Sequence, residues 1–368
     1  MRSDGVVFNN KLTKYHCSSC GFLFQDPKYY LTNKLRYKRS DGTSESDSKR
    51  HQEVARGFTE LINKFYDSSK SISILEVGAG NYKTSIKLAE SNKNFEVTAL
   101  EPSPETERTP RIENLNICNL NLESFTQEDK FDVIFSNHVL EHMYELKTQA
   151  FPHHKRLLKH QGIIIFAVPA YYPATEEILF TDHLYTFNKN SMIELLMNSG
   201  LDLISIHTAK WDASSLLYIL RHKEDKPIMH YCNTYEQSTI EEGSKEELLK
   251  TRQELCSRWQ RAPIKCINQI NKGKTLAMFG AGEYAQLIQC YFPEIYRKIK
   301  LHIVTSKKGA RSFQSEIKAI DSVDMRSIQC LLAVNERSSK SVCKLLKDHG
   351  CDSILNPPSY QQNLDIDS

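Results

Sequence analysis

Residues 74–80 read ILEVGAG and residues 97–103 read VTALEPS: a short apolar strand, a glycine turn, room for one helix, then a second strand that ends on a carboxylate. A chain that passes from strand into helix over a bound ribose needs positive φ or has no room for a Cβ, and Gly78 and Gly80, either side of Ala79, meet that need. Glu101 follows Gly80 by 21 residues, where the second strand of a doubly wound sheet ends, so its two oxygens can accept both hydroxyls of an adenosine ribose.

The first strand also ends in an acid, Glu76, and Tyr82 stands where a GxGxG loop has its last glycine. Glu76 would repel the phosphates of a dinucleotide, whereas a ligand bearing an ammonium and a sulfonium tolerates it. The loop therefore favours S-adenosylmethionine over NAD. A lone GxG is also the ordinary tight turn of any α/β protein, so the argument rests on what surrounds it.

Downstream, FDVIFSNHVLEH at 131–142 reads as an apolar strand whose carboxyl end carries Ser136, Asn137 and His138 into the crevice where such sheets bind ligands. LLKHQGIIIFAVPA at 157–170 reads as a helix end, a break at Gly162 and a fully buried strand. Upstream, Val54, Phe58, Leu61, Ile62 and Phe65 form a helical stripe that should pack on the sheet. The polar, serine-rich 37–49 reads as a mobile linker or a loop near the cofactor mouth.

These phrases resemble the motifs of class I S-adenosylmethionine-dependent methyltransferases over about residues 50–220. The resemblance implies an α/β fold with a seven-stranded sheet. Its last hairpin would be LDLISIHTA and SSLLYILRH, following an amphipathic helix that stops at Gly200. It also implies that Glu76, Gly78, Ala79 and Gly80 line the cofactor loop and that Glu101, with Pro102 beside it, holds the ribose. Asn119 or Asn121 would lie beside the adenine, with Asn137 and His138 at the crevice.

The segment 171–201 contains the loop that should arch over the methyl group, and its titratable residues are Asp182 and His183. An imidazole near neutral pKa paired with a carboxylate can take a proton from a nucleophile, and Asp-His can equally pin the following segment. His142, adjacent to Glu141, is a third candidate for the site wall. Two such ligands serve a divalent cation in related small-molecule O-methyltransferases, but a metal needs a third protein ligand. That group has an acid where this chain has His138, which favours a metal-free site.

A charged helical connector, with Leu248, Leu255 and Trp259 as its stripe, leads to KTLAMFGAGEYAQLI, which repeats the strand, GxG turn and helix. Strands LHIVTS, IQCLLAVN and CDSIL follow, so a second, smaller Rossmann-like domain is expected. Thr305, Ser306, Lys307 and Lys308 replace the ribose-binding acid, which favours anionic groups, with phosphate at the helix start after Gly282. NPPS at 356–359 resembles the signature of amino-group methyltransferases, but its domain lacks the adenosine-holding acid, and a proline turn is the better reading.

Near the start, Cys17 and Cys20 in CSSCG have the knuckle spacing that lets two thiolates meet one zinc ion, with His16 the nearby candidate for a third ligand. YHCSSCGFLFQDP resembles the second half of the zinc ribbon that precedes some sugar-modifying methyltransferases; its first CxxC would lie before Met1, so either the start is truncated or the ribbon has decayed. Zinc is therefore possible but not expected in the chain as it stands.

The expected organisation is a partial ribbon and linker over 1–48, the methyltransferase domain over 49–222, a helical connector over 223–272 and the second Rossmann-like domain over 273–368. That order resembles the three-part nucleotide-sugar C-methyltransferases of deoxysugar biosynthesis. In that family a YHEH segment supplies a tyrosine and a histidine near the sugar carbon, and the last domain holds the nucleotide diphosphate. The matching segment here is FTDH, where Phe180 cannot act as a base and only His183 is kept, so a changed substrate or O-methylation is plausible. The resemblance implies methyl transfer to a nucleotide-linked or phosphorylated sugar, with His183, Asp182 and His142 at the acceptor and Gly280, Gly282 and Lys307 on the nucleotide.

Composition agrees. A chain of 368 residues calls for two or three domains. Its 48 basic and 45 acidic residues, interspersed to a net charge of +3, leave no nucleic-acid footprint. The longest apolar run, GIIIFAVPA, is about half of what a membrane span needs, and the start lacks the apolar stretch of a signal peptide, which places the chain in the cytoplasm. Its ten cysteines then read as reduced. Alternatives left open are a small-molecule O-methyltransferase of another pathway, a nucleotide-sugar enzyme using NAD(P) through Gly280 and Gly282, and a non-catalytic S-adenosylmethionine-binding scaffold. The oligomeric state is open as well.

Overall fold

A computed structural model describes residues 1–2, 12–26, 45–102, 111–126, 130–225, 243–307, 310, 313–334 and 336–357. Most of the serine-rich stretch, Lys308 and the second half of NPPS lie outside these residues. The chain divides into two compact units, one comprising Lys11–Leu249, the other Met1–Asn10 with Lys250–Ser368.

In the first unit, a hairpin of β1 (Lys14–His16) and β2 (Leu23–Gln25) precedes α1 (Glu45–Phe65). Then come β3 (Ile72–Val77), α2 (Lys83–Ser91), β4 (Phe95–Leu100), β5 (Leu115–Cys118) and β6 (Phe131–Asn137). After α3 (Phe151–Leu157) the chain forms β7 (Leu158–Pro169), β8 (Tyr185–Thr186), α4 (Lys189–Leu196), β9 (Leu201–Ala209) and β10 (Asp212–His222). Seven of these strands make one sheet in the order β5-β4-β3-β6-β7-β10-β9, with β10 antiparallel to both neighbours. This is the class I methyltransferase arrangement.

The centre of the sheet is apolar on both faces, as a parallel sheet covered by helices requires. Along β7, Ile163, Ile165 and Ala167 join Val54, Phe58 and Ile62 of α1 in one cluster. The alternate residues Ile164, Phe166 and Val168 join Phe151 of α3 and Met192 and Leu196 of α4 in the other. Of the expected stripe of α1, Val54, Phe58, Leu61 and Ile62 are buried and Phe65 is partly buried.

Gly162 does not break a helix from a strand. β7 begins at Leu158 and runs through it: Phe131 pairs with Leu158 and Val133 with Ile163, so the extra residues form a bulge. A Cβ on Gly162 would lie 2.9 Å from the Lys159 carbonyl and 3.0 Å from that of Asp132, so the glycine is there for close backbone approach. The stretch containing Cys17 and Cys20 is built onto the sheet domain, since β2 pairs with β8 in a three-stranded sheet, β1-β2-β8.

In the second unit, α5 (Lys245–Gln269), whose first turn lies in the first unit, precedes β11 (Thr275–Phe279), α6 (Glu283–Tyr291) and α7 (Pro293–Tyr296). β12 (Leu301–Val304), β13 (Glu316–Ala319), β14 (Ile328–Leu332), α8 (Glu336–Asp348) and β15 (Ser353–Leu355) follow. Its five strands are all parallel in the order β13-β12-β11-β14-β15. Trp259 of α5 stacks on Phe292 at 4.9 Å. Among the described residues no helix is long and apolar enough to cross a membrane.

Candidate active site

Parallel β3 and β4 deliver Glu76 and Glu101 to the same end of the sheet. Glu76 is buried, and Ser85 of α2 donates to its carboxylate. Burial, opposed by the Ser85 hydrogen bonds and helped by the charge of Glu101, pushes the Glu76 carboxyl up to about 8. The Gly78 and Ala79 N–H groups donate to the Leu100 carbonyl at 2.8 and 2.9 Å, and the Gly80 N–H donates to Glu101 Oε2 at 2.8 Å.

The two glycines serve different ends. A Cβ on Gly78 would lie 2.5 Å from Val139 Cγ2, whereas one on Gly80 would meet nothing within 4 Å, so Gly80 faces open space. Tyr82 adopts φ 60°, the left-handed backbone that the last glycine of a GxGxG loop supplies. Its buried hydroxyl donates to Asn119 Oδ1 at 2.8 Å and fixes that amide beside the loop. Asn121 instead accepts the Ser124 N–H at 2.8 Å and caps a turn.

At the end of β6, Asn137 Oδ1 and Ser136 Oγ are buried with no hydrogen-bond partner among the described residues. Two acids, an open glycine and an unanswered acceptor fit a cationic nucleoside such as S-adenosylmethionine. His138, with φ 56°, has both ring nitrogens engaged by protein: Nδ1 lies 3.2 Å from Glu141 Oε1 and Nε2 2.9 Å from Ser215 Oγ. It braces the wall of the crevice. Pro102 is exposed just beyond Glu101.

A second group gathers where a 3-10 turn, Leu140–His142, meets the segment from a 3-10 turn at Glu176–Leu179 to β8. The His142 Nδ1–H donates to the Asp182 carbonyl at 2.8 Å, and the Asp182 carboxylate lies 3.7 Å from the same nitrogen. Asp182 therefore serves His142 here. The carboxylate on His183 is that of Glu177, 3.2 Å from Nδ1, and Glu177 in turn accepts the Thr186 hydroxyl at 2.7 Å. Sequence reading passed over Glu177; its only signal is an acid pair, Glu176-Glu177, in a loop that is otherwise largely apolar.

The rings of His142 and His183 meet edge to face at 4.8 Å. Burial lowers the His142 pKa, helped by the neighbouring His183. Burial also acts to lower that of His183, but the Glu177 hydrogen bond and the charges of Glu141, Asp182 and Glu177 outweigh it and leave it raised. Glu141 is fully buried; burial acts to raise its pKa, and His138, His142 and His183 outweigh it, so it stays lowered.

The cysteine hairpin holds this segment in place. Lys14 Nζ donates to the His183 carbonyl at 2.8 Å, the Gln25 N–H to that of Leu184 at 2.9 Å, and Asn188 Nδ2 to that of Cys20 at 2.8 Å. Hydrogen bonds from the backbone of Cys20 and Ser19 lower the Cys17 thiol pKa, while burial raises that of Cys20. Among the described residues no third ligating side chain joins the two thiols. In the second unit, Gly280 has φ 118° and its carbonyl accepts His302 Nδ1–H at 2.9 Å. Gly282 starts α6, and both it and Lys307 are exposed.

Residues 47–206 match the model of a methyltransferase domain family. No curated protein sequence matches the chain. Among solved structures, the mitomycin 7-O-methyltransferase is 14% identical over 48% of this chain and 54% of its own, with a TM-score of 0.38. The 1,6-didemethyltoxoflavin-N1-methyltransferase of Burkholderia thailandensis, with bound 1,6-didemethyltoxoflavin and S-adenosylhomocysteine, is 15% identical over 58% of this chain and 99% of its own, with a TM-score of 0.41. A glycopeptide N-methyltransferase with S-adenosylmethionine is 12% identical over 46% and 93%, with a TM-score of 0.37. This chain thus spans about half the length of the mitomycin enzyme. The matched segment, residues 47–206, is thus similar to a methyltransferase domain, and it contains the glycine loop and the two acids described above.

Proposed function

We propose that the chain methylates a small molecule, a sugar carried on a nucleotide, at carbon or oxygen. The observation that carries the reading is a juxtaposition at one end of the sheet. The glycine loop after β3, with Glu76 in that strand and Glu101 at the end of β4, lies next to β6, whose continuation brings a buried imidazole and carboxylate group. S-adenosylmethionine supplies an electrophilic methyl group on its sulfonium.

The residues divide the work. Glu101 takes the ribose hydroxyls, Asn119 stands at the adenine, and Glu76 with Asn137 receives the ammonium. Burial excludes water around His142, Asp182 and His183, which orient and activate the acceptor. The sugar assignment is supported by the three-part resemblance and by the second Rossmann-like unit. There Gly282 opens α6, whose first N–H groups suit a phosphate, and β12 is followed by Thr305 and Lys307 rather than by an acid.

The test is mass spectrometry of dTDP-, UDP- and GDP-sugars incubated with the enzyme and methyl-labelled donor. One class should gain the label while S-adenosylhomocysteine accumulates. On that substrate, His183→Ala should lower kcat by roughly 10²–10⁴-fold with donor affinity kept. Unchanged turnover would remove His183 from the acceptor site.

A further inference from the structure

We propose that Glu141, His142 and His183 form a binding site for a divalent transition-metal cation. Each offers one ligand atom, and the three atoms lie within 4.8 Å of one another. In sequence, Glu141 and His142 lack a third ligand. The fold supplies it from 41 positions further on, in a segment held against the 140–142 turn by the Leu184 N–H, which donates to the Glu141 carbonyl at 2.7 Å.

Three features beyond proximity make this a built site. Every ligand has the outer partner that metal ligands need: His138 on Glu141 Oε1, the Asp182 carbonyl on His142 Nδ1 and the Glu177 carboxylate on His183 Nδ1. Because a carbonyl only accepts, His142 Nδ1 carries the proton, and in the neutral ring the lone pair is on Nε2. The second feature is Glu141 Oε2, a fully buried carboxylate oxygen with no hydrogen-bond partner among the described residues. The third is charge, since three buried carboxylates, Glu141, Glu177 and Asp182, surround the two imidazoles. His138, 3.2 Å from Glu141 Oε1, becomes the residue that orients Glu141.

Two imidazoles and one carboxylate suit zinc, iron(II), manganese or cobalt better than calcium or magnesium, which prefer oxygen. Three protein ligands also leave positions open for acceptor oxygens. That use of the cation rests on the function proposed above; the binding does not. Chelator-stripped full-length protein carrying Cys17→Ser and Cys20→Ser, which removes the thiols as a rival site, is titrated with cobalt(II), followed by its visible absorption bands and by equilibrium dialysis.

One equivalent should bind. Added Glu141→Gln or His183→Ala should weaken binding by at least ~100-fold. Calorimetry with S-adenosylmethionine reports separately on folding and on the donor site, and should be unchanged in these variants. The proposal is overturned if the stripped protein takes up less than one equivalent at about 1 mM cobalt(II). It is equally overturned if Glu141→Gln binds as tightly as its parent.

Discussion

Residues 78–82 and 280–284 spell the same pattern, Gly-Ala-Gly-x-Tyr, yet fold differently. In both turns the first glycine N–H donates across to the neighbouring strand at 2.8 Å, from Gly78 to Leu100 and from Gly280 to Ile303. In both, a Cβ on the first glycine would strike a neighbour at 2.5 Å and one on the second would meet nothing. They diverge after that. α6 starts at Glu283, directly after Gly282, so Tyr284 is helical; α2 starts only at Lys83, leaving Tyr82 left-handed and buried. The difference follows the acid after the second strand. Glu101 takes the Gly80 N–H and holds the loop open, whereas Thr305 at the end of β12 has no carboxylate to do so. One side chain thus separates two turns of the same sequence pattern.

The largest expected break in the comparison is at the position two before the first glycine, where the first turn buries Glu76 and the second buries Met278. With its pKa raised to about 8, Glu76 favours the fold when protonated. Its contribution is complete below the ordinary carboxylate pKa, wanes as pH rises and is lost above about 8, a swing of roughly 5 kcal/mol. Glu76→Gln stays neutral throughout. It should melt like the wild type near pH 5 and well above it near pH 9; if Glu76 receives the ammonium as proposed, it should also bind S-adenosylmethionine more weakly above pH 8, where the wild type carries the charge. Thermal denaturation across pH checks the first expectation and calorimetry the second.

Next in size are the glycines of the second turn. Gly280→Ala places a methyl against the Ala333 carbonyl in a left-handed backbone and should cost about 3 kcal/mol. Gly282→Ala, with ordinary φ and open space, should cost less than about 1 kcal/mol. Urea unfolding of both variants that gave equal losses would show that the second turn does not share the steric plan of the first. Glu101→Ala comes third. Losing charge-assisted bonds to the ribose should weaken donor binding about 30-fold, roughly 2 kcal/mol, and Gly80 should then behave as Gly282 does. Unchanged affinity in calorimetry would place the ribose elsewhere.

Where the sequence was readable, each residue's role was set by its near neighbours. Period-two burial along β7, the stripe on α1 and the acid closing β4 are all of this kind. The edge strands β5 and β13 were not anticipated, because four half-covered residues carry little hydrophobic pattern. Gly162 was read as a boundary because a bulge and a helix stop place the same residue at the same spot. The histidine and carboxylate group was half legible. His142, Asp182 and His183 stand out as titratable residues, but their pairing crosses from Asp182 to His142 and from Glu177 to His183. Only the path of the loop between β7 and β8, which joins the cysteine hairpin through two residues of β8, fixes those partners.

The finest test of the comparison is Tyr82→Phe. The substitution keeps the ring that fills the core beside Ala79 and Ala99 and removes only the hydroxyl that holds Asn119. A neutral hydrogen bond of this kind is worth about 1 kcal/mol, so stability should fall by that much. If Tyr82 positions Asn119 for the adenine, S-adenosylmethionine affinity should fall about fivefold, with kcat on saturating donor unchanged. The Glu101 carboxylate is untouched by this change, so if it holds the ribose as proposed, adenosine analogues altered at the base should lose their discrimination while those altered at the ribose keep it. Equal loss for both kinds of analogue would mean that Tyr82 shapes the whole loop rather than the adenine end alone.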